Sequence, residues 1–354
     1  MLDTEFFKNK RVFITGHTGF KGSWLCKMLE MMGAAICGYS LGLPTEPALF
    51  PLCHIDMQSV TGDIRNYEAL SKAIADFKPD VVLHLAAQPI VRDSYKDPRY
   101  TYETNVMGTV NLLESIRSCE NIGSVVNITT DKVYRNNEWE WGYRENDRLD
   151  GFEPYSNSKS CSELVTACYT RSFFKGMGLP VSTCRAGNVI GGGDFATDRI
   201  MPDCARAASE GRSIIVRNPY SVRPYQHVLE PLYVYLMIAE KQYKDISTAG
   251  NYNVGPDDSG CVSTGELADM FCSMWDGASW QNKGDDGPHE AGLLKLDCSH
   301  LKSVFGWEPG WKIEKAVEKT VEWFKIYYGG GDISVCMKEQ INEYLNMKKG
   351  EANA

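Results

Sequence analysis

Short apolar runs alternate along the first half of the chain with stretches whose apolar residues recur every three or four positions. "RVFIT" (Arg11–Thr15) predicts a buried strand. Trp24, Leu25, Met28, Leu29 and Met32 then share one helix face, and Gly33 stops that helix. "AAICGY" and "SVTGDI" predict the second and third strands, the latter ending in a short loop before a helix over Tyr67–Phe77. "VVLHLAA" (Val81–Ala87) reads as strand, "NVMGTVNLLESIRS" as helix and "SVVNITT" as strand; a helix then runs from Tyr155 to about Lys175, and "PVSTCRAGNVIG" closes the series. Strand and helix in strict alternation imply an α/β fold, a doubly wound parallel sheet covered on both faces, with ligands at the carboxyl ends of the strands.

The second half loses that rhythm. "VIGGGD" and "RNPYSVRPYQHV" read as loops, and Trp275, Trp280, Trp307, Trp311 and Trp323 gather toward the end. The expected organisation is a Rossmann domain over 1–187, rejoined by a segment near 228–258. A smaller α/β C-terminal substrate lobe is built from 188–227 and 259–345, and 346–354 is a tail in which "MKKGEANA" frays.

A net charge of -9 argues against nucleic acid as partner, since phosphate backbones need a basic face, but leaves room for a local basic pocket. Twelve cysteines are scattered from Cys26 to Cys336 without a CxxC pair, and the six histidines do not cluster with them. Reduced thiols and no metal are expected. "MLDTEFFKNKRVFITG" has no long apolar run, so no signal peptide is read there, and no stretch approaches the roughly 20 apolar residues of a membrane span. The cytoplasm is the default address.

Three features carry candidate chemistry. "TGHTGFKG" sets Gly16, Gly19 and Gly22 between the first strand and first helix, where backbone amides can approach a pyrophosphate; a tight structural turn would also need glycine. Asp63, after the third strand, can accept from an adenine amino group or cap the following helix. "CGYS", ending the second strand, has neither the acid nor the arginine that separates the two nicotinamide cofactors. Finally, "YSNSK" puts Tyr155 and Lys159 on one helix face, where an ammonium would lower the phenol from about 10 and fit it to remove a hydroxyl proton.

With "HLAAQ" (His84–Gln88) and the threonines before Asp131, these motifs identify the chain as resembling the extended short-chain dehydrogenase/reductase (NAD-dependent epimerase/dehydratase) family over nearly its whole length. "GHTGFKGSWL", "TTDKVY" and "RPYQHVLEP" are most similar to the branch that dehydrates CDP-glucose toward 3,6-dideoxysugars of surface polysaccharide such as O-antigen. The resemblance implies tightly bound NAD, regenerated each turnover, and CDP-glucose as substrate. It implies cofactor contacts from Gly16, His17, Gly19, Phe20, Lys21, Gly22, Asp63, Ile64, Ala86, Ala87, Gln88 and Thr129, with Tyr155 and Lys159. Substrate contacts fall to Arg185, Asn188, Arg199, Arg223, Gln226 and His227, the last reading as a packing or loop residue rather than a catalyst. It also implies a homodimer or homotetramer through the helices of "NVMGTVNLLESIRS" and Tyr155.

A dehydratase needs a second acid–base couple beyond Thr130, Tyr155 and Lys159, because a C5 proton and the C6 hydroxyl must both leave the sugar. Asp131 and Lys132 stand where that couple is expected. Asp131 would protonate the hydroxyl, its pKa raised by burial from about 4. Lys132 would take the C5 proton or stabilise the enolate while Tyr155 takes it. A nucleotide-sugar epimerase or decarboxylase would not need the couple, and a non-catalytic NAD sensor would need neither it nor the Tyr–Lys pair.

Overall fold

Seven parallel strands form the central sheet in a computed structural model that describes residues 1–284 and 292–351. They are β1 (Arg11–Thr15), β2 (Ala35–Ser40), β3 (Gln58–Thr61), β4 (Val81–His84), β5 (Ser124–Thr130), β6 (Val181–Ala186) and β7 (Asn251–Val254). Their spatial order is β7-β6-β5-β4-β1-β2-β3, and every neighbouring pair is parallel. This is the expected doubly wound α/β architecture. The order reverses between β1 and β4, so a crevice opens there at the carboxyl ends.

The two-residue period of a strand explains why both faces are apolar. Val12 and Ile14 of β1 and Val81 and Leu83 of β4 join one buried cluster, while Phe13 and Val82 join a second on the opposite face. Helices α1 (Phe20–Met31), α2 (Tyr67–Phe77), α3 (Gly108–Arg117) and α4 (Pro154–Tyr169) connect the strands. The turn into α1 is crowded enough to require glycine. Gly16 adopts φ 78°, and a Cβ there would lie 2.7 Å from the Ala86 amide nitrogen; one on Gly22 would lie 2.2 Å from the Gly16 carbonyl oxygen.

Several boundaries differ from the sequence reading. β4 ends at His84 rather than Ala87, because its neighbour β1 stops at Thr15 and turns away at Gly16. The helical path into α3 begins early, at Pro98, and passes through a wider turn at Glu103–Met107. α4 starts on Pro154, capped by the Glu153 carboxylate accepting from the Ser156 amide at 3.0 Å. Beyond Tyr169 the coil widens and then stops at Gly178, φ 68°.

After β6 come α5 (Ile200–Ser209), α6 (Leu229–Lys244) and, beyond β7, α7 (Thr264–Met274), α8 (Ile313–Tyr328) and α9 (Ile333–Glu351). Trp307, Trp311 and Trp323 are buried in the same cluster as Trp24 of α1, so the later helices share the core of the sheet. The frayed tail expected from Met347 is corrected. α9 continues to Glu351, because Met337, Ile341 and Tyr344 bury one face. It is also tied down at its polar positions. Ser334 donates to the Cys53 carbonyl (2.9 Å), Tyr344 to Glu230 of α6 (2.7 Å) and Lys348 to the Glu308 carbonyl (2.6 Å). Positions 352–354 of that tail, and 285–291 of the expected lobe, lie outside the described residues.

Candidate active site

A cleft of about 320 Å³ opens at the carboxyl ends of the strands. Its wall collects residues far apart in sequence: Phe20 and Lys21 from the start of α1, Ala87 after β4, Thr129 to Lys132 at the end of β5, Tyr155 and Lys159 on α4, and Asn188, Arg199 and Arg223 beyond β6. Seven lysines and arginines line it against four aspartates, so a cationic basin sits in a chain of net charge -9. Burial, then the charges of Lys159 and Arg199, hold Lys21 down to about 8. Such a basin favours an anion, because each phosphate bound would relieve repulsion among the cations.

Thr129 and Thr130 face opposite ways, as the pleat requires. Thr130 turns to the cleft and donates to Asp131 Oδ1 at 3.0 Å. Asp131 is buried, and its Oδ2 has no hydrogen-bond partner among the described residues. Burial raises its pKa above the usual carboxylate range, as expected, although the adjacent Lys132 pulls the other way. A buried carboxyl in the protonated form can donate that proton outward. Lys132 is half-buried beside it on the cleft wall.

Tyr155 is placed by its backbone: its amide donates to Ser94 Oγ at 3.1 Å, and Ser94 in turn donates to the Val91 carbonyl at 2.7 Å. Lys159 sends its ammonium to the Ile128 carbonyl at 3.0 Å. The expectation of a lowered Tyr155 phenol is corrected. Burial dominates and pushes Tyr155 up to about 12, with the Thr130 hydroxyl and the Arg199 charge acting against it. Burial also brings Lys159 down to about 8, while Glu163 holds it up.

The remaining sequence candidates divide. Arg199 lines the cleft in an ion pair with Asp194 (3.0 Å), and Asn188 and Arg223 also line it. Arg185 does not. Its guanidinium is buried against Glu163 (3.0 Å), the Tyr134 hydroxyl (2.8 Å) and the Glu145 carbonyl (2.8 Å), so the expected substrate contact is corrected to a structural ion pair. Gln226 donates to the Val254 carbonyl at 2.8 Å, and His227 is packed between the Trp24 and Trp311 rings, held near 3 by burial; neither lines the cleft.

Among the expected cofactor contacts, the His17 ring lies under Gly38 and bonds Ser40 (3.0 Å) and Ser59 (2.7 Å), tying β1 to β2 and β3. Asp63 pairs with Arg65 at 2.6 Å. Ile64 packs against Gly108, Ala86 against Gly16, and the Gln88 side chain donates to Ile90 and Thr101. Gly19 stands at the N-cap of α1, whose first turn carries no acid and no side-chain cap. Its leading amides are thus available to an anion. Sequence reasoning missed Ser94 and Glu163. Glu163 was visible as the third member of a one-turn spacing after Tyr155 and Lys159.

The family model of GDP-mannose 4,6 dehydratase matches residues 13–320. The chain belongs to this family. Within the GDP-mannose 4,6 dehydratase family, it is 47% identical to a CDP-glucose 4,6-dehydratase of Salmonella typhimurium, covering 98% of this chain and 99% of that protein. Two solved structures share the fold. The UDP-glucuronic acid 4-epimerase of Bacillus cereus in complex with UDP-glucuronic acid and NAD has a TM-score of 0.77 at 22% identity, covering 90% of this chain and 100% of that one. The dTDP-glucose 4,6-dehydratase of Bacillus anthracis in complex with NAD has a TM-score of 0.73 at 22% identity, covering 89% and 96%. No helix among the described residues is long and apolar enough to cross a membrane.

Proposed function

We propose that the protein removes water from CDP-glucose, giving CDP-4-dehydro-6-deoxy-glucose, with NAD retained through each turnover. The observation that carries this reading is the 47% identity, over nearly the full length of both chains, to a CDP-glucose 4,6-dehydratase. The residues fit NAD. The glycine turn brings the uncapped start of α1 to the crevice, and the adjoining cleft is cationic. When bound there, NAD supplies the hydride acceptor and donor for the sugar carbons.

The chain's own residues would do the rest. Tyr155, oriented from its backbone by Ser94, takes the 4-hydroxyl proton, and Thr130 hydrogen-bonds that oxygen. Its resting value near 12 must fall for that step, a direction in which the Thr130 hydroxyl and the Arg199 charge already act. Lys159 holds its ammonium beside the end of β5 to favour the phenolate. Asp131 delivers a proton to the departing C6 hydroxyl, its free Oδ2 being the atom left for that task. Lys132 takes the C5 proton, or stabilises the enolate while Tyr155, once it has released the hydroxyl proton to solvent, takes it; Lys132→Arg, which keeps the charge but does not give up a proton to act as a base, separates the two. Asn188, Arg199 and Arg223 hold the diphosphate.

The same reading places the protein in the cytoplasm, as a homodimer or homotetramer, at the first step toward 3,6-dideoxysugars of O-antigen lipopolysaccharide. The test is mass spectrometry of CDP-glucose incubated with protein and NAD, beside dTDP-, UDP- and GDP-sugars. Loss of one water from CDP-glucose with no net NADH is expected. Water loss only from another nucleotide would overturn the substrate, and no water loss from any would overturn the reaction.

A further inference from the structure

The Glu163–Arg185 pair is built more completely than a packing device requires. Both side chains are buried. The Glu163 carboxylate accepts from the Thr129 hydroxyl of β5, the Thr183 hydroxyl of β6 (2.7 Å), and Arg185 Nε (3.1 Å) and Nη2 (3.0 Å). It thereby ties α4 to both strands immediately behind Thr130. Glu163 also lies four residues after Lys159 on α4, one turn along the same face. Of the two charges in the pair, Glu163 is the one that raises Lys159.

We propose that Glu163 is a positioning residue for the reaction: anchored by Thr129, Thr183 and Arg185, its carboxylate stands one helical turn from Lys159 and keeps that side chain an ammonium at working pH. The role of Lys159 rests on the function proposed above; the action of Glu163 on it does not. The other groups facing Lys159 do not supply this charge. Lys21 of α1 repels it, His84 of β4 is held neutral near 3, and Tyr155 on its own helix is protonated at rest. Arg199 on the cleft wall adds a further cation, and burial disfavours the charged form of Asp131. Without Glu163, burial and the Lys21 charge would both act against the ammonium of Lys159.

The test needs a variant that folds, because removing one partner of a buried pair strands the other. Glu163→Gln combined with Arg185→Met removes both charges at similar volume. The direct readout is the titration midpoint of the Lys159 side-chain nitrogen by ¹⁵N NMR, its resonance assigned with Lys159→Met. The midpoint, expected near 8 in the intact protein, should fall by about one unit in the double variant, tenfold less ammonium at a given alkaline pH. The alkaline limb of the dehydration pH profile is expected to move the same way. Glu163→Gln alone should shift the midpoint further, because Arg185 is then unpaired. A folded double or single variant whose midpoint stays at the wild-type value would overturn the inference. If the wild-type protein dehydrates nothing, the proposed reaction fails, and the NMR midpoint still decides the role of Glu163.

Discussion

Two buried carboxylates, Glu163 and Asp131, are served from adjacent positions of β5 and treated in opposite ways. Thr129 turns to Glu163, which also collects Thr183 and both arms of Arg185. Thr130 turns to Asp131, satisfies one oxygen and leaves the other with no partner among the described residues. The first carboxylate has its charge matched and its lone pairs occupied, so it holds elements together. The second is desolvated without full compensation, so its charged form is disfavoured and its proton is available to whatever enters the cleft. Architecture and chemistry are separated by one residue of strand register.

The largest expected effect breaks that comparison on the chemical side. Asp131→Asn should slow dehydration by about 10²- to 10⁴-fold, the range for a lost general acid, measured as product formed per enzyme by mass spectrometry. The same variant should be more stable than wild type at neutral pH. A carboxyl whose folded pKa is raised costs stability as pH climbs from about 4 through its folded value, so the difference should vanish below pH 4. Urea unfolding across that range checks the sign.

On the architectural side, Arg185→Ala leaves Glu163 buried and unpaired, and should destabilise by about 3–5 kcal/mol, read from denaturant midpoints. A smaller effect tests burial without charge pairing. His84 bonds Thr15 (2.7 Å) and is held near 3 by burial. Its contribution to stability is present above about 6.5 and lost as pH falls from there toward 3, because only the unfolded chain gains the proton. His84→Gln should flatten the acid limb of stability over that window. The smallest effect belongs to the exposed pair of Lys72 with Asp76. Lys72→Ala should leave the thermal midpoint unmoved within error.

Much of this was legible in the chain. The alternation of apolar runs and helical stripes predicted six of the seven strands of the sheet, because burial on both faces makes each strand a short continuous apolar run, as at Val12–Ile14 and Val81–Leu83. The spacing of Tyr155 and Lys159, and the adjacency of Thr130, Asp131 and Lys132, brought five candidates to one cleft. Arg185 was misread because sequence shows a charge but not its partner; Glu163 lies 22 residues away, on the helix across the sheet. The α9 helix was missed because its terminal lysines look solvated, whereas Lys348 is buried against Glu308. The direction of the Tyr155 shift was missed because burial outweighs charge in the cleft.

The most direct test follows the sugar's own hydrogen. CDP-glucose carrying deuterium at C4 would be incubated with the protein and NAD, and the product examined by mass spectrometry and NMR. The account predicts a product lighter by one water with the deuterium at C6. A product that keeps its oxygen, or that loses water with the label absent from C6, would contradict it.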